Sequence, residues 1–152
     1  EEELYEAAKR AHDDGWSLAV HANGDGAIDT SLNVFERILK ENPRDDHRHR
    51  LEHCSVGHLD QYERMKKLGV SPTYLIGHVR WWGKAFRDQI LGPDRIQYYD
   101  ACKTASDMGI PFTFHSDYSV TPLGPLRCVQ DAVTRIIHDG GEVFAPNQRI
   151  TV

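Results

Sequence analysis

Apolar residues recur along this chain with two alternating spacings, one helical and one extended. They return every three or four positions in five segments, which predicts helices over residues 3–13, 27–42, 59–69, 94–109 and 125–141. Four short apolar runs predict strands over residues 16–21, 47–56, 70–76 and 110–117. The segment after the third strand, GHVRWWGKAF, fits neither pattern, and we expect a loop there. Alternation of helices and strands is typical of parallel βα units.

The number of these units limits the architecture. Four strands and their helices make about half of a (β/α)8 barrel, which needs roughly 250 residues, whereas this chain has 152. No Pro/Gly/Ser-rich linker, low-complexity tract or block of like charge divides the chain. We therefore predict an α/β fold in which residues 1–152 form a single partial barrel domain.

Composition narrows the classes of partner. The net charge is −5, from 23 acidic and 18 basic residues, and no dense Lys/Arg cluster offers a groove for a phosphate backbone, so we predict no nucleic-acid partner. No run approaches the roughly 18 apolar residues of a membrane helix, and we predict no membrane association. Cys54, Cys102 and Cys128 form no CxxC pair and are typical of buried thiols in a reducing compartment, so we expect a cytoplasmic protein.

Three polar residues stand where predicted strands end. His21 follows SLAV, His53 follows HRLE, and Asp117 follows FTFHS. They are separated by 32 and 64 residues, close to one and two βα units of about 30 residues. Because the carboxyl ends of parallel strands share one rim, we expect the three side chains to converge there. Two imidazoles and a carboxylate suit a divalent ion, most simply Zn²⁺, with an open position for water.

Each polar residue also has an ordinary explanation. A single histidine at a strand end is more often a satisfied polar residue than a ligand, and Asp117 before Pro122 is also typical of a loop cap. His115 is one residue removed from Asp117, so the two side chains share a strand face, where His115 either supports the site or is purely structural. Further histidines within or at the ends of predicted helices are expected to be solvated at the surface: His12, His58 and His138.

The strand-end segments together resemble a known family. VHANGDGAID, HRLEHC and TFHSDYSVTP are similar to motifs of the amidohydrolase superfamily, in particular its amidohydrolase family 3 branch, which includes N-substituted formamide deformylases. The stretch GHVRWWGKAFRDQILGPDR resembles that branch's loop after the seventh strand. The resemblance implies strands five to eight of a TIM-type metal-dependent hydrolase barrel. It also implies that His21 and His53 are metal ligands, and that Asp117 touches the metal and takes a proton from the attacking water.

The resemblance places the loop after the third strand at the mouth of the site. There His78 either hydrogen-bonds a substrate carbonyl or the developing oxyanion, or packs on a neighbouring tryptophan. Trp81 and Trp82 either line an apolar substrate pocket or anchor the loop on the rim. We therefore name substrate-binding candidates in this half of the barrel: His78, Trp81, Trp82 and His115.

Part of the family pattern is missing. Family members also use an HxH pair on the first strand and a residue on the fourth, and this chain begins after both, without an initiator Met. His47-x-His49 has the same spacing as that pair. However, His49 precedes His53 by four residues of strand, which places it about 13 Å away, toward the opposite end of the sheet. We therefore expect the N-terminal half of the barrel, or a second copy of the chain, as a partner.

Two functions of different class follow. The first is a metal-dependent amidohydrolase that cleaves the C–N bond of a small-molecule amide, formamide or cyclic amide through a metal-activated water. The second is a catalytically silent half barrel that folds and self-associates as a homo-oligomer without a complete metal site. Another TIM-barrel metalloenzyme, such as a phosphotriesterase-like hydrolase or a sugar isomerase, is a weaker third reading, because the HSDYSVTP loop is less natural there.

Overall fold

The computed structural model describes residues 1–138 and 140–151. Through these residues runs a parallel four-stranded sheet whose order follows the chain: β1 (Ala19–Ala22), β2 (Arg50–His53), β3 (Ser71–Tyr74) and β4 (Thr113–Phe114). The register pairs Ala22 with His53 and Tyr74 with Phe114, so the strands end along one edge. The predicted strands are confirmed in order and direction, and each is shorter than its apolar run.

Helices connect the strands. Within the described residues the α-helices are α1 (Glu2–Asp13), α2 (Asp25–Glu41), α3 (Leu59–Leu68), α4 (Gly77–Ala85), α5 (Cys102–Asp107) and α6 (Pro125–Thr134). A π-helical turn follows α4 at Phe86–Ile90, and short 3₁₀ helices lie at Arg95–Tyr98 and Pro146–Gln148. In this part of the chain, no helix combines the length and apolar character needed to cross a bilayer.

The first two strands have one buried and one open face. On the buried side, Leu51 lies in the core with apolar residues that recur at helical spacing in α2: Ile28, Leu32, Phe35 and Ile38. On the open side, Arg50 Nε donates to Glu52 Oε1 at 2.6 Å, and Glu52 stands opposite His21 in the register. The wall of a barrel has this asymmetry, because helices cover its outside and its inner face meets the rest of the barrel.

Three predictions about the helices are wrong. The segment GHVRWWGKAF is helix α4 rather than a loop. Val79 and Gly83 are buried on one face of this helix, and Gly83 packs so closely on Phe144 that an added Cβ would lie 3.1 Å from the Phe144 ring. The predicted helix 94–109 is interrupted at Asp100, whose φ of 42° is incompatible with a helix. The last helix ends at Thr134, because Arg135 has a φ of 52°.

A chain of buried histidines lies at the amino-terminal end of the sheet. The Leu18 amide donates to His49 Nδ1 at 3.1 Å, His49 Nε2 lies 2.8 Å from His12 Nδ1, and His12 Nε2 lies 2.7 Å from the Asn42 carbonyl oxygen. The amide fixes the direction, since neutral His49 must then carry its hydrogen on Nε2 and donate to His12, which donates to Asn42. The prediction that His12 lies at the surface is therefore wrong, because it is fully buried. His58 and His138 are exposed, as predicted.

Candidate metal centre

Four imidazoles gather at the carboxyl ends of the strands. The ring centroid of His53 lies 4.6 Å from that of His21, 5.0 Å from His115 and 6.2 Å from His78. Parallel pairing explains the convergence, because His21 and His53 stand at the ends of adjacent strands, and the His115 amide donates to the Tyr74 carbonyl at 3.0 Å. The sheet therefore brings together residues that are far apart in sequence.

The backbone turns sharply at the end of β2. His53 and Cys54 have φ values of 76° and 50°, a conformation that is costly for residues other than glycine. The Cys54 amide donates to the Ala22 carbonyl at 3.1 Å, and the Cys54 side chain is fully buried. This anchored turn holds the buried His53 ring among the other imidazoles.

A tight loop presents Asp117 at the same rim. The Thr121 amide donates to the Ser116 carbonyl at 3.1 Å, the Thr121 hydroxyl donates to the same oxygen, and the Val120 amide donates to the Asp117 carbonyl at 2.6 Å. These bonds close the base of the loop and leave Asp117 exposed. The charge of the Asp117 carboxylate partly opposes the lowering of the His53 pKa by burial and by the neighbouring histidines. The apolar run FTF thus ends where the chain leaves the sheet and offers a carboxylate to the histidine cluster.

Two of the imidazoles, His53 and His78, have a lowered pKa. Burial lowers the pKa of His53, and the neighbouring His115 and His21 lower it further against the opposing effect of Asp117. Burial also lowers the pKa of His78 to about 4. A neutral imidazole is the form that binds a metal ion, so the environment prepares these rings for ligation or for hydrogen bonding at neutral pH.

The donor set fits part of a metal site. His53 Nδ1 and His115 Nε2 are buried and have no hydrogen-bond partner among the described residues. Such orphaned atoms cost about 1–3 kcal/mol each, and a bound ion or water commonly accounts for them. Across residues 1–138 and 140–151, no three or more His, Cys, Asp or Glu side chains are arranged to hold a metal ion. The described residues therefore offer imidazole and carboxylate donors without a complete coordination shell.

The remaining candidate residues have separate surroundings. His78 lies in α4 rather than in the predicted loop; its Nδ1 is 3.0 Å from Ser55 Oγ, and Trp82 packs edge-on against its ring at 5.4 Å. Trp81 instead faces His138, with ring centroids 4.7 Å apart. Both tryptophans border a pocket of about 360 Å³ together with Val120 and Pro122. A substrate-binding role for His78, Trp81, Trp82 and His115 stays a prediction.

A buried polar cluster behind His78 was not predicted from the sequence. Arg135 is fully buried and donates through its three guanidinium nitrogens to the carbonyls of Phe144, Asp100 and Tyr99, at 2.9, 3.0 and 2.7 Å. The Asp100 carboxyl is also fully buried beside this guanidinium. The only hint in the sequence is an acidic residue inside the apolar run YYDAC.

The chain is similar over its whole length to known proteins. The sequence model described as "Amidohydrolase family" matches residues 1–152, the whole of the chain. The chain belongs to the amidohydrolase family. The amidohydrolase chain is 32% identical over 139 residues to the putative amidohydrolase YtcJ of Bacillus subtilis, covering 89% of this chain and 25% of that protein. It is 26% identical over 150 residues to the N-substituted formamide deformylase of Arthrobacter pascens, covering 98% of this chain and 27% of that protein.

A solved structure confirms the predicted fold class. An uncharacterized metal-dependent hydrolase from Pyrococcus furiosus superposes on the amidohydrolase chain with a TM-score of 0.77 at 27% identity, over 99% of this chain and 29% of that one. The chain thus spans about a quarter of the length of the curated relatives it matches. Its parallel βα units form half of a TIM-type barrel, and the histidine cluster lies at the carboxyl-terminal rim of the strands, the rim where enzymes of this fold carry their active sites.

Proposed function

We propose that the protein carrying this chain is a metal-dependent amidohydrolase that cleaves the C–N bond of a small amide, formamide or cyclic amide. One observation carries the proposal: His21, His53 and His115 converge with Asp117 at the carboxyl ends of parallel strands, and two of their ring nitrogens are buried with no hydrogen-bond partner among the described residues. Membership of the amidohydrolase family and likeness to a formamide deformylase support the choice of bond.

His21 and His53 would hold the divalent metal, for which Zn²⁺ is our first choice, and Asp117 would lie beside it. When bound, such a metal polarises the substrate carbonyl and makes water nucleophilic at neutral pH. His53 is suited to this task because its pKa is lowered by burial, so that no proton competes for its ring at pH 7. Further ligands would come from the N-terminal half of the barrel or from a second copy of the chain.

Asp117 would move the proton. Its exposed carboxylate, held out by the closed loop, accepts a proton from the attacking water and returns it to the leaving nitrogen. Neutral His78 faces the same cluster and would hydrogen-bond the carbonyl oxygen of the substrate. Trp81 and Trp82 would contribute an apolar wall that excludes water from the bound amide.

The test uses the complete enzyme, purified without a histidine tag, on a panel of amides, formamides and cyclic amides. We expect hydrolysis to be lost in Asp117→Asn and in His53→Ala, and metal measured by elemental mass spectrometry to be lost in His21→Ala and His53→Ala. His58→Ala removes an exposed histidine and is the matched control, for which both readouts should be unchanged. Unchanged hydrolysis in folded Asp117→Asn or His53→Ala enzyme would refute the proposal.

A second candidate is a half barrel that is silent by itself. Two observations favour it: the described residues hold no complete group of metal ligands, and β1 and β4 form the open edges of the sheet. Exposed edges invite pairing with another chain, so two copies could close a barrel. Sedimentation of the 152-residue chain at high concentration should then show a dimer, and a stable monomer there would count against this assembly.

A further inference from the structure

The loop that carries Asp117, residues 116–121, is attached to the rest of the chain at its two ends. Ser116 and Thr121 are buried, while the four residues between them are exposed. Thr121 makes two of the bonds that close this Asp117 loop, because its amide donates to the Ser116 carbonyl at 3.1 Å and its hydroxyl donates to the same oxygen. The position of Asp117 therefore depends on where Thr121 is held.

The methyl group of Thr121 contacts a different element, helix α4. A Cβ added to Gly77, the first residue of α4, would lie 2.9 Å from Thr121 Cγ2 and 3.3 Å from Thr121 Cβ and Oγ1. Position 77 thus has no room for a side chain while Thr121 stays in place. The φ of Gly77 does not lie in the left-handed region, so close approach and not backbone conformation is what requires glycine here.

This contact joins two parts of the histidine cluster. His78 comes directly after Gly77, and its amide donates to the Leu75 carbonyl at 2.9 Å, so the start of α4 fixes the backbone of His78. His115 comes directly before the Asp117 loop. The rings of His78 and His115 both lie beside His53, with centroids 6.2 and 5.0 Å from that of His53. The helix and the loop therefore serve one cluster, and they touch through the threonine methyl.

We propose that Thr121 is a positioning residue: its hydroxyl closes the Asp117 loop and its methyl packs that loop on Gly77, so that Asp117 and His78 keep a fixed separation across the histidine cluster. The inference rests on the proposed amidohydrolase function for its catalytic consequence, and on the packing alone for the contact. In that function Asp117 serves the leaving nitrogen and His78 the carbonyl oxygen of one amide. Two groups that act on one small substrate tolerate little displacement, since a shift of about 1 Å can cost about 100-fold in rate.

The first test measures the attachment of the loop and does not depend on activity. In the complete enzyme, hydrogen–deuterium exchange followed by mass spectrometry reports on two amides that close the loop, those of Val120 and Thr121. We expect Gly77→Ala to displace the loop from α4 and to make this exchange faster by about 10-fold or more. Gly77→Ala/Thr121→Ser should exchange slowly again, because serine keeps the hydroxyl and lacks the methyl that the new Cβ would contact.

The control is a glycine with free space around it. Gly26 lies in the first turn of α2, as Gly77 lies in the first turn of α4, and a Cβ added to Gly26 would meet no atom within 4 Å. Gly26→Ala should therefore leave loop exchange and hydrolysis as in the wild type. Unchanged exchange in Gly77→Ala, or a double variant that exchanges as fast as Gly77→Ala, would overturn the proposal.

The second test measures the consequence for catalysis. In metal-loaded complete enzyme, Gly77→Ala should lower kcat by about 10- to 100-fold with little change in KM or metal content, and Gly77→Ala/Thr121→Ser should recover most of this loss. A loss that the double variant does not reverse would show that the alanine does not act through Thr121. Normal hydrolysis in Gly77→Ala despite fast exchange would refute the positioning role and leave the proposed function standing. The expected exchange pattern in an enzyme that hydrolyses no amide would refute the proposed function and leave the contact standing.

Discussion

Acid should weaken the folded chain through His49. Burial lowers the pKa of this imidazole from 6.5 to about 3, with smaller contributions from His47 and His12. Because the folded pKa lies below the unfolded one, the unfolded state binds the proton first as the pH falls. The stabilisation is therefore complete above about pH 6.5 and is lost progressively toward about pH 3. Each pH unit in this window removes about 1.4 kcal/mol, so that near pH 4.5 His49 alone should lower the free energy of unfolding by about 2.7 kcal/mol.

Urea unfolding of the chain, followed by tryptophan fluorescence, measures this loss near pH 7.5 and near pH 4.5. His49→Gln removes the titrating ring, while His58→Gln removes an exposed histidine and is the matched control. His49→Gln should be less stable than the wild type near pH 7.5, since it loses the stacking of His49 on Phe35 at 5.2 Å. Acidification should then cost His49→Gln about 2.7 kcal/mol less than it costs the wild type or His58→Gln. Parallel losses in the wild type and His49→Gln would refute the reasoning.

Two further predictions concern buried groups that are not among the proposed metal ligands. Arg135→Met should lower the free energy of unfolding by about 3–5 kcal/mol in urea titrations, because three buried carbonyls lose their donors. A loss no larger than that of the exposed control Arg10→Met would contradict this. Cys54 and Cys102 should resist a thiol reagent in the folded chain and react in urea, since both are fully buried and burial raises the pKa of each thiol. Fast labelling of either thiol before unfolding would show that this core is open.

Local apolar spacing correctly predicts those helices whose buried face is set by that spacing alone. Helix α2 is an example: its buried residues recur every three or four positions, and this apolar face packs on the sheet. The convergence of His21, His53, His115 and Asp117 was also accessible, because parallel strands place their carboxyl ends on one rim whatever lies between them.

The incorrect predictions share a cause: each concerns a residue whose contact partner is distant in sequence. The helix predicted over residues 94–109 has an adequate local pattern, but Arg135 binds the Asp100 and Tyr99 carbonyls from 35 and 36 residues away and holds a conformation that no helix allows. The sequence wrongly predicts a surface position for His12, because its partner His49 lies 37 residues further along the chain. The contact between Ser55 and His78 gives no sign in the sequence, since the two residues are 23 positions apart.

The strand order β1-β2-β3-β4 has a consequence for assembly. Each strand pairs with the strand made next, so the sheet can condense step by step during synthesis without waiting for a distant segment. His21 lies on β1 and Asp117 follows β4, so these two residues lie at the two outer strands of the sheet. If the proposed metal site is correct, closing the barrel would also complete that site. A bound ion would then stabilise the closed barrel relative to the open half barrel.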